Sequence, residues 1–259
     1  MIVAGIDIGS ITTEALLFDK EKGILGYTIL QTGADSRKTA EMAIDKALAY
    51  PGKQRGDVAY TIATGCGRKR ADFAKEAVTE ITCIAKGVSY LFPEARTVID
   101  IGGQDTKVIR VDEKGRVREF EMNDKCAAGT GRFIEVMANA LKVDLDKIGE
   151  ISLSHKKDLT ISSICTVFAE SEVISLVSEG EELEDILYGI HRAIADRTMG
   201  LINRLGGIDK EVVMAGGVAK NIGVVRALEK VTGFPVKIAV EPQIVGALGA
   251  ALLALEKIA

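Results

Sequence analysis

Apolar and polar positions change period along this chain, from two in its opening segments to between three and four further on. "IVAGIDI" and "TEALLFD" flank the turn "GSIT", which reads as two strands of a β-hairpin. A third strand is predicted over residues 23–31. Over 36–49, Ala40, Ala43, Ile44, Ala47 and Leu48 recur at helical spacing. A strand at 58–63 and a helix through Cys83 follow, with Cys83 expected in the core.

The hairpin recurs. "IDIGSITTEALLFD" at 6–19 returns as "IDIGGQDTKVIRVD" at 99–112, with six of 14 positions identical. The second copy opens a similar series, with strands at 97–101, 107–111 and 117–122, a helix directly after Cys126, a strand "LTISSI" at 159–164 and a helix after Cys165. Ile186, Ile190, Ile194 and Leu201 mark a long helix over 182–205. "EVVMAGGVAKN" reads as strand, glycine turn and helix, "VKIAV" as a strand, and 244–258 as a small-residue helix. The fold class is α/β, with lobe I at 1–95 completed by the terminal helix 244–259, and lobe II at 96–243.

Composition narrows the picture. A chain of 259 residues that is 47% hydrophobic and 27% charged is an ordinary globular sequence, which excludes disorder. With a net charge of −4, no nucleic-acid or anionic-membrane partner is expected, and the basic run "GRKR" at 67–70 is expected as a solvated turn. No apolar run reaches the ~18 residues of a membrane span, and the first residues lack a signal peptide's basic region, so a cytoplasmic protein is expected. Four cysteines, at 66, 83, 126 and 165, show no Cys-x-x-Cys pairing and are expected as reduced thiols or ligands. His155 and His191 are too far apart for a paired-histidine metal motif, and both are expected at the surface.

Glycine turns after strands let backbone N–H groups approach a phosphate chain that a Cβ would hold off. Gly9, Ser10, Ile11, Thr12 and Thr13 form the first such turn, with hydroxyl donors; Gly102, Gly103 and Gln104 form the second. Asp7, Asp100 and Asp105 are the candidate catalytic acids, suited to hydrated Mg²⁺ or to orienting an attacking water. A carboxylate repels phosphate directly, so a metal or water is needed between them. In a third turn, Gly216 and Gly217 offer a flat surface for a nucleobase or ribose, with Val218 and Asn221 beyond.

Three such turns in this order resemble the sugar kinase, heat-shock chaperone and actin superfamily. That resemblance implies the actin-like ATPase fold, in which ATP or ADP with Mg²⁺ lies in a cleft between two ribonuclease-H-like lobes. The chain is short for the superfamily and leaves little room for sugar-binding or filament-forming insertions.

Cys126 and Cys165 each precede a predicted helix. A helix N-terminus favours a thiolate, the donor that soft metals and iron–sulfur clusters take, but the spacing alone better fits two unreactive core residues. "NDKCAAGTGRF" followed by "SSICTVFAESEVISLVSEG" closely resembles the activators, or archerases (component A), of 2-hydroxyacyl-CoA dehydratases. These belong to the BadF/BadG/BcrA/BcrD ATPase family and are related to the ATPase subunits of benzoyl-CoA reductases. The resemblance implies that Cys126 and Cys165 ligate a 4Fe-4S cluster, shared by a homodimer because one chain supplies two of the four thiolates. It also implies that the turn at 127–131, with Ala128 and Gly129, borders the nucleotide together with Gln243. The implied partners are a 2-hydroxyacyl-CoA dehydratase core, which receives one low-potential electron, and a ferredoxin or flavodoxin donor. A benzoyl-CoA reductase subunit and a small-molecule kinase of the same fold are the alternatives. The chain departs from the family at Cys66, where Tyr is expected, which leaves that thiol open as an extra ligand or a bystander. Glu14 is a second departure, standing where related chains carry a basic or small polar residue.

Overall fold

The computed structural model describes residues 1–124, 126–162 and 165–258. The chain divides into two compact units, one of residues 1–98, 109–119 and 239–259, the other of 99–108 and 120–238.

Strands β1 (Ile2–Ile8), β2 (Thr12–Asp19) and β3 (Gly23–Gln31) form an antiparallel meander. Helix α1 (Ser36–Ala49) is started by Asp35, whose carboxylate accepts from Lys38 N at 3.1 Å. β4 (Val58–Thr64) returns parallel to β1, and β5 (Glu76–Ala77) lies parallel to β4. The sheet order is β3-β2-β1-β4-β5, and α2 (Glu80–Leu91) follows.

The second series runs β6 (Thr97–Ile101), β7 (Thr106–Val111), β8 (Val117–Asn123), α3 (Gly131–Leu141), α4 (Ile148–Ser152), α5 (Thr166–Ser178) and α6 (Leu183–Arg204). β9 (Val212–Ala215), α7 (Ile222–Thr232), β10 (Val236–Ile238) and α8 (Val245–Glu256) complete the chain. Its sheet order, β10-β9-β6-β7-β8, repeats the first strand for strand, so the 14-residue repeat extends to whole sheets.

Alternation decides which face each strand residue covers. Ala4, Ile6, Ala15 and Leu17 pack with Ala43 and Ile44 of α1, whereas Val3, Leu16 and Ile62 pack with Cys83 and the apolar side of α8. Each fully buried Leu or Ile there is worth roughly 1.5–3 kcal/mol. Small residues bring α8 close: a Cβ on Gly5 would overlap the Ala247 carbonyl, and one on Gly249 the Cys83 carbonyl. Among the described residues no helix is long and apolar enough to cross a membrane.

Two predicted elements differ. Residues 159–162 are not a strand, and 163 and 164 lie outside the described residues. Ile161 is buried against α6 instead, where a Cβ on Gly189 would stand 3.4 Å from it, and β9 takes the fourth place in the sheet. The helix after Cys126 begins only at Gly131, because Thr130 N and Thr130 Oγ1 both bond the Ala127 carbonyl, at 3.1 and 2.5 Å, and close a turn first.

Candidate functional site

The two hairpin turns share one geometry. Gly9 N donates to Thr12 O at 2.9 Å and, at the equivalent place, Gly102 N donates to Asp105 O at 3.0 Å. A Cβ on Gly9 would stand 2.8 Å from Thr12 O, and one on Gly102 2.6 Å from Asp105 Oδ1, so neither turn admits a side chain unchanged. Turn one is braced from behind: Thr32 N donates to Ile11 O at 2.8 Å and Thr32 Oγ1 to Gly9 O at 2.9 Å. That spends the Thr32 hydroxyl proton, so Thr13 Oγ1 donates to Thr32 Oγ1 at 2.9 Å. Thr13 is buried and turned inward, Thr12 and Ile11 are half-buried, and Ser10 is exposed. A cavity of about 360 Å³ opens beside Gly9 and Ser10, with Thr32, Cys66 and the basic run Arg68–Arg70 in its wall. Cys66 is exposed there, its thiol 3.6 Å from the Ile8 carbonyl.

The acids differ between the turns. Asp7, one residue before the end of β1, lies directly opposite Glu14 on β2. Gly65, at φ +85°, and Gly246 make room for its carboxylate, which a Cβ on either would overlap. In turn two the residue aligned with Glu14 is Lys107, whose side chain is 2% exposed. Lys107 Nζ lies 2.7 Å from Asp105 Oδ1 and 3.3 Å from Asp100 Oδ1. Burial pushes the Asp100 carboxyl above the usual carboxylate range, and Lys107 partly offsets this. Gln104 is exposed at the tip.

Turn two is tied to the cysteine segment by backbone. Gly131 N donates to Gly102 O at 2.9 Å and Arg132 N to Gly103 O at 2.8 Å, while Thr106 Oγ1 donates to Gly129 O at 2.9 Å. Gly129 takes φ +93°, and Ala128 and Gly129 are buried. Cys126, half-buried, precedes this turn, and its carbonyl accepts from Asn123 Nδ2 at 3.2 Å. Cys165 is exposed at the N-cap of α5, and α5 packs against α3. Val167, Phe168, Ile174 and Val177 leave a large part of α5 apolar and exposed.

In the third turn Gly216, at φ +83°, directly follows β9, where a Cβ would overlap the Ile101 carbonyl. Gly217 is exposed and Val218 buried. Gln243, half-buried, lies in the short turn before α8, its N–H held by Glu241 Oε1 at 3.1 Å.

The model of the BadF/BadG/BcrA/BcrD ATPase family matches residues 4–254. The chain belongs to that ATPase family. It is 49% identical over 256 residues to the activator of lactoyl-CoA dehydratase from Anaerotignum propionicum, covering 99% of this chain and 98% of that one. Component A of (R)-2-hydroxyglutaryl-CoA dehydratase from Acidaminococcus fermentans superposes with a TM-score of 0.95 at 45% identity, covering 99% and 98% of the two chains. The activator of 2-hydroxyisocaproyl-CoA dehydratase from Clostridium difficile, solved with bound ADPNP, superposes with 0.94 at 42% identity, covering 99% and 95%. The fold is therefore the actin-like ATPase fold.

Among the described residues no three His, Cys, Asp or Glu side chains gather to hold a metal ion. Cys126 is half-buried in the segment before α3, and Cys165 is exposed at the start of α5 beside that helix's exposed apolar residues.

Several site residues were not visible in the sequence of this ATPase. Thr32, Gly65, Gly246 and Lys107 shape the turns; only Lys107 left a trace, as the charge reversal of Glu14 in the repeat. His191, expected at the surface, is wholly buried, and burial pulls its pKa down to about 3. The ring bonds Ser152 Oγ at 2.9 Å through Nδ1 and Asn221 Nδ2 at 3.2 Å through Nε2, so it sits neutral as a link. Asn221 Oδ1 meanwhile accepts from Val224 N at 3.2 Å, which makes that side chain the cap of α7. His155 is half-buried and stacks on Tyr188 at 3.7 Å between centroids. Cys83 is buried as expected, and desolvation pushes its thiol up to about 12.

Proposed function

We propose that this protein is an ATP-driven activator that delivers a low-potential electron to a 2-hydroxyacyl-CoA dehydratase in the cytoplasm. The observation that carries the reading is the pair of backbone hydrogen bonds from Gly131 and Arg132 to Gly102 and Gly103, at 2.9 and 2.8 Å. A phosphate group seated on turn two pulls on the same peptide units that anchor the start of α3. Nucleotide state is thereby felt at Cys126, five residues before α3 begins.

In this reading Gly9, Ser10, Ile11 and Thr12 meet the phosphates of ATP or ADP, with Thr13 bracing the turn. Gly102, Gly103 and Gln104 meet them from the second turn, and Ala128 and Gly129 back it. Asp105 orients the attacking water, Asp7 and Asp100 hold hydrated Mg²⁺, and Gly216, Gly217, Val218, Asn221 and Gln243 receive the adenosine. Cys126 and Cys165 of two copies of the chain hold one 4Fe-4S cluster. A cluster held there supplies a one-electron reductant. Each ~1.4 kcal/mol that nucleotide turnover delivers to such a site corresponds to ~59 mV. A ferredoxin or flavodoxin is the natural donor, and the names of the relatives support the dehydratase as acceptor.

Anaerobic purification followed by iron, sulfide and mass measurement tests this. About four irons per two chains are expected, lost in air and absent from Cys126→Ser and Cys165→Ser, both of which still bind ATP. Full iron in Cys126→Ser overturns the ligand assignment. An iron-free monomer that transfers phosphate to a small molecule points to a kinase of the same fold instead.

A further inference from the structure

Arg197, near the middle of α6, lies against the segment that carries Cys126. The side chain is half-buried. Its guanidinium carbon stands 5.4 Å from the Phe133 ring centroid, a cation–π contact with the first turn of α3. Nη1 donates to Ala193 O at 2.9 Å and pins the planar group along its own helix. The aliphatic stem runs under Gly129, where a Cβ would stand 3.1 Å from Arg197 Cδ and 3.5 Å from Arg197 Cβ. The space that Gly129 leaves open is thus filled by this arginine.

Charge adds a second observation. Burial lowers the pKa of Arg197, while Cys126, Asp196 and Glu172 raise it, so the thiol is within electrostatic reach of the guanidinium. Asp196 is bonded to Arg192 Nε at 2.9 and 3.1 Å. Glu172, on the helix that Cys165 starts, accepts from Ser162 N and Oγ at 2.8 and 2.9 Å. Arg197 therefore stands where influence from both cysteine segments meets.

We propose that Arg197 is a positioning residue for the cysteine site, a fixed positive charge that sets the reduction potential of the group bound there. The inference rests on the reading that Cys126 and Cys165 hold an iron–sulfur cluster. A guanidinium stays ionised under all working conditions and tolerates partial burial better than an ammonium, so its charge is permanent. Reduction adds one negative charge to a cluster, and a nearby cation stabilises that state more than the oxidised one. Arg197 thereby keeps the resting potential within reach of a biological donor. It also ties the turn at Gly129 to Phe133, so a shift at turn two moves the charge and the thiol together.

The test uses the anaerobically purified full chain and three variants, Arg197→Gln, Arg197→Met and Arg197→Lys, with thermal melts to identify folded protein. Iron content and the midpoint potential, from a redox titration followed by electron paramagnetic resonance, are the readouts. Iron is expected unchanged throughout. Arg197→Gln and Arg197→Met, of which Met keeps the packing of the stem, should each shift the oxidation equilibrium about tenfold, ~59 mV more negative. Arg197→Lys, which keeps the charge, should shift it less than threefold. Equal potentials in all four proteins, an equal shift in the Lys and neutral variants, or loss of iron from a folded neutral variant would each overturn the proposal. Wild-type protein that takes up no iron instead overturns the cluster reading, and this inference with it.

Discussion

Arg132, in the first turn of α3, donates its backbone N–H to the carbonyl of Gly103 at 2.8 Å, so the glycine turn and the cysteine-bearing segment share one hydrogen-bonded frame. The residue before it repeats the bond, Gly131 to Gly102 at 2.9 Å. Two adjacent bonds fix direction as well as distance.

Gly102→Ala tests the turn itself. The new Cβ would meet Asp105 Oδ1 at 2.6 Å, the end of a side chain, so Asp105 swings off Lys107 while the fold survives. In the proposed mechanism Asp105 orients the attacking water, so a misplacement of that size there costs on the order of 10²-fold, which a steady-state ATPase assay should register in protein that still folds.

Lys107→Met removes the cation that both Asp100 and Asp105 bond, at 3.3 and 2.7 Å. Breaking a buried pair from one side costs about 3 kcal/mol or more, because a carboxylate is left without compensation. Urea unfolding followed by circular dichroism should show the loss. Wild-type stability in this variant would mean that Asp100 is already protonated and needs no partner.

Acid stability carries the signature of His191. Its folded pKa of about 3 lies below the ordinary 6.5, so under acid the unfolded chain takes up a proton that the folded chain refuses. Its contribution is intact above pH 6.5 and is lost as pH falls towards 3. Between pH 7.5 and 5.5 this histidine alone should remove about 1.4 kcal/mol, and His191→Gln should flatten that part of the stability curve.

Phe168→Asp probes the exposed face of α5, where Phe168 is 69% exposed and Val167 66%. A fold-neutral change is expected within the chain, because most of the ring is exposed there. A charge in an apolar association surface costs ~2 kcal/mol or more, so if α5 forms the contact of the proposed dimer, the variant should dissociate at least about tenfold more readily than wild type by analytical ultracentrifugation. Unchanged self-association would move the contact elsewhere.

The hairpins, α1, the long α6 and the apolar α8 could be read from the chain because their signals are local: alternation, a glycine between strands, apolar residues at helical spacing. Residues 159–164 show the limit of such signals. "LTISSI" has the composition of a strand, yet Ile161 found its apolar cover on α6 and the sheet position went to β9. His191 departs from the expected surface position for a related reason, since a polar ring is buried only when remote partners, here Ser152 and Asn221, bond both its nitrogens.

By itself the sequence determined the repeated hairpin, the three glycine turns, their order, and the two cysteines ahead of helices, because each is written in a few neighbouring residues. Only the tertiary structure decided that Lys107 neutralises the acids of turn two, that Gly65 and Gly246 make room for Asp7, and that turn two is bonded to the start of α3. Those relations join residues distant in the chain, and close packing with full satisfaction of buried polar groups selects them after the strands and helices have formed.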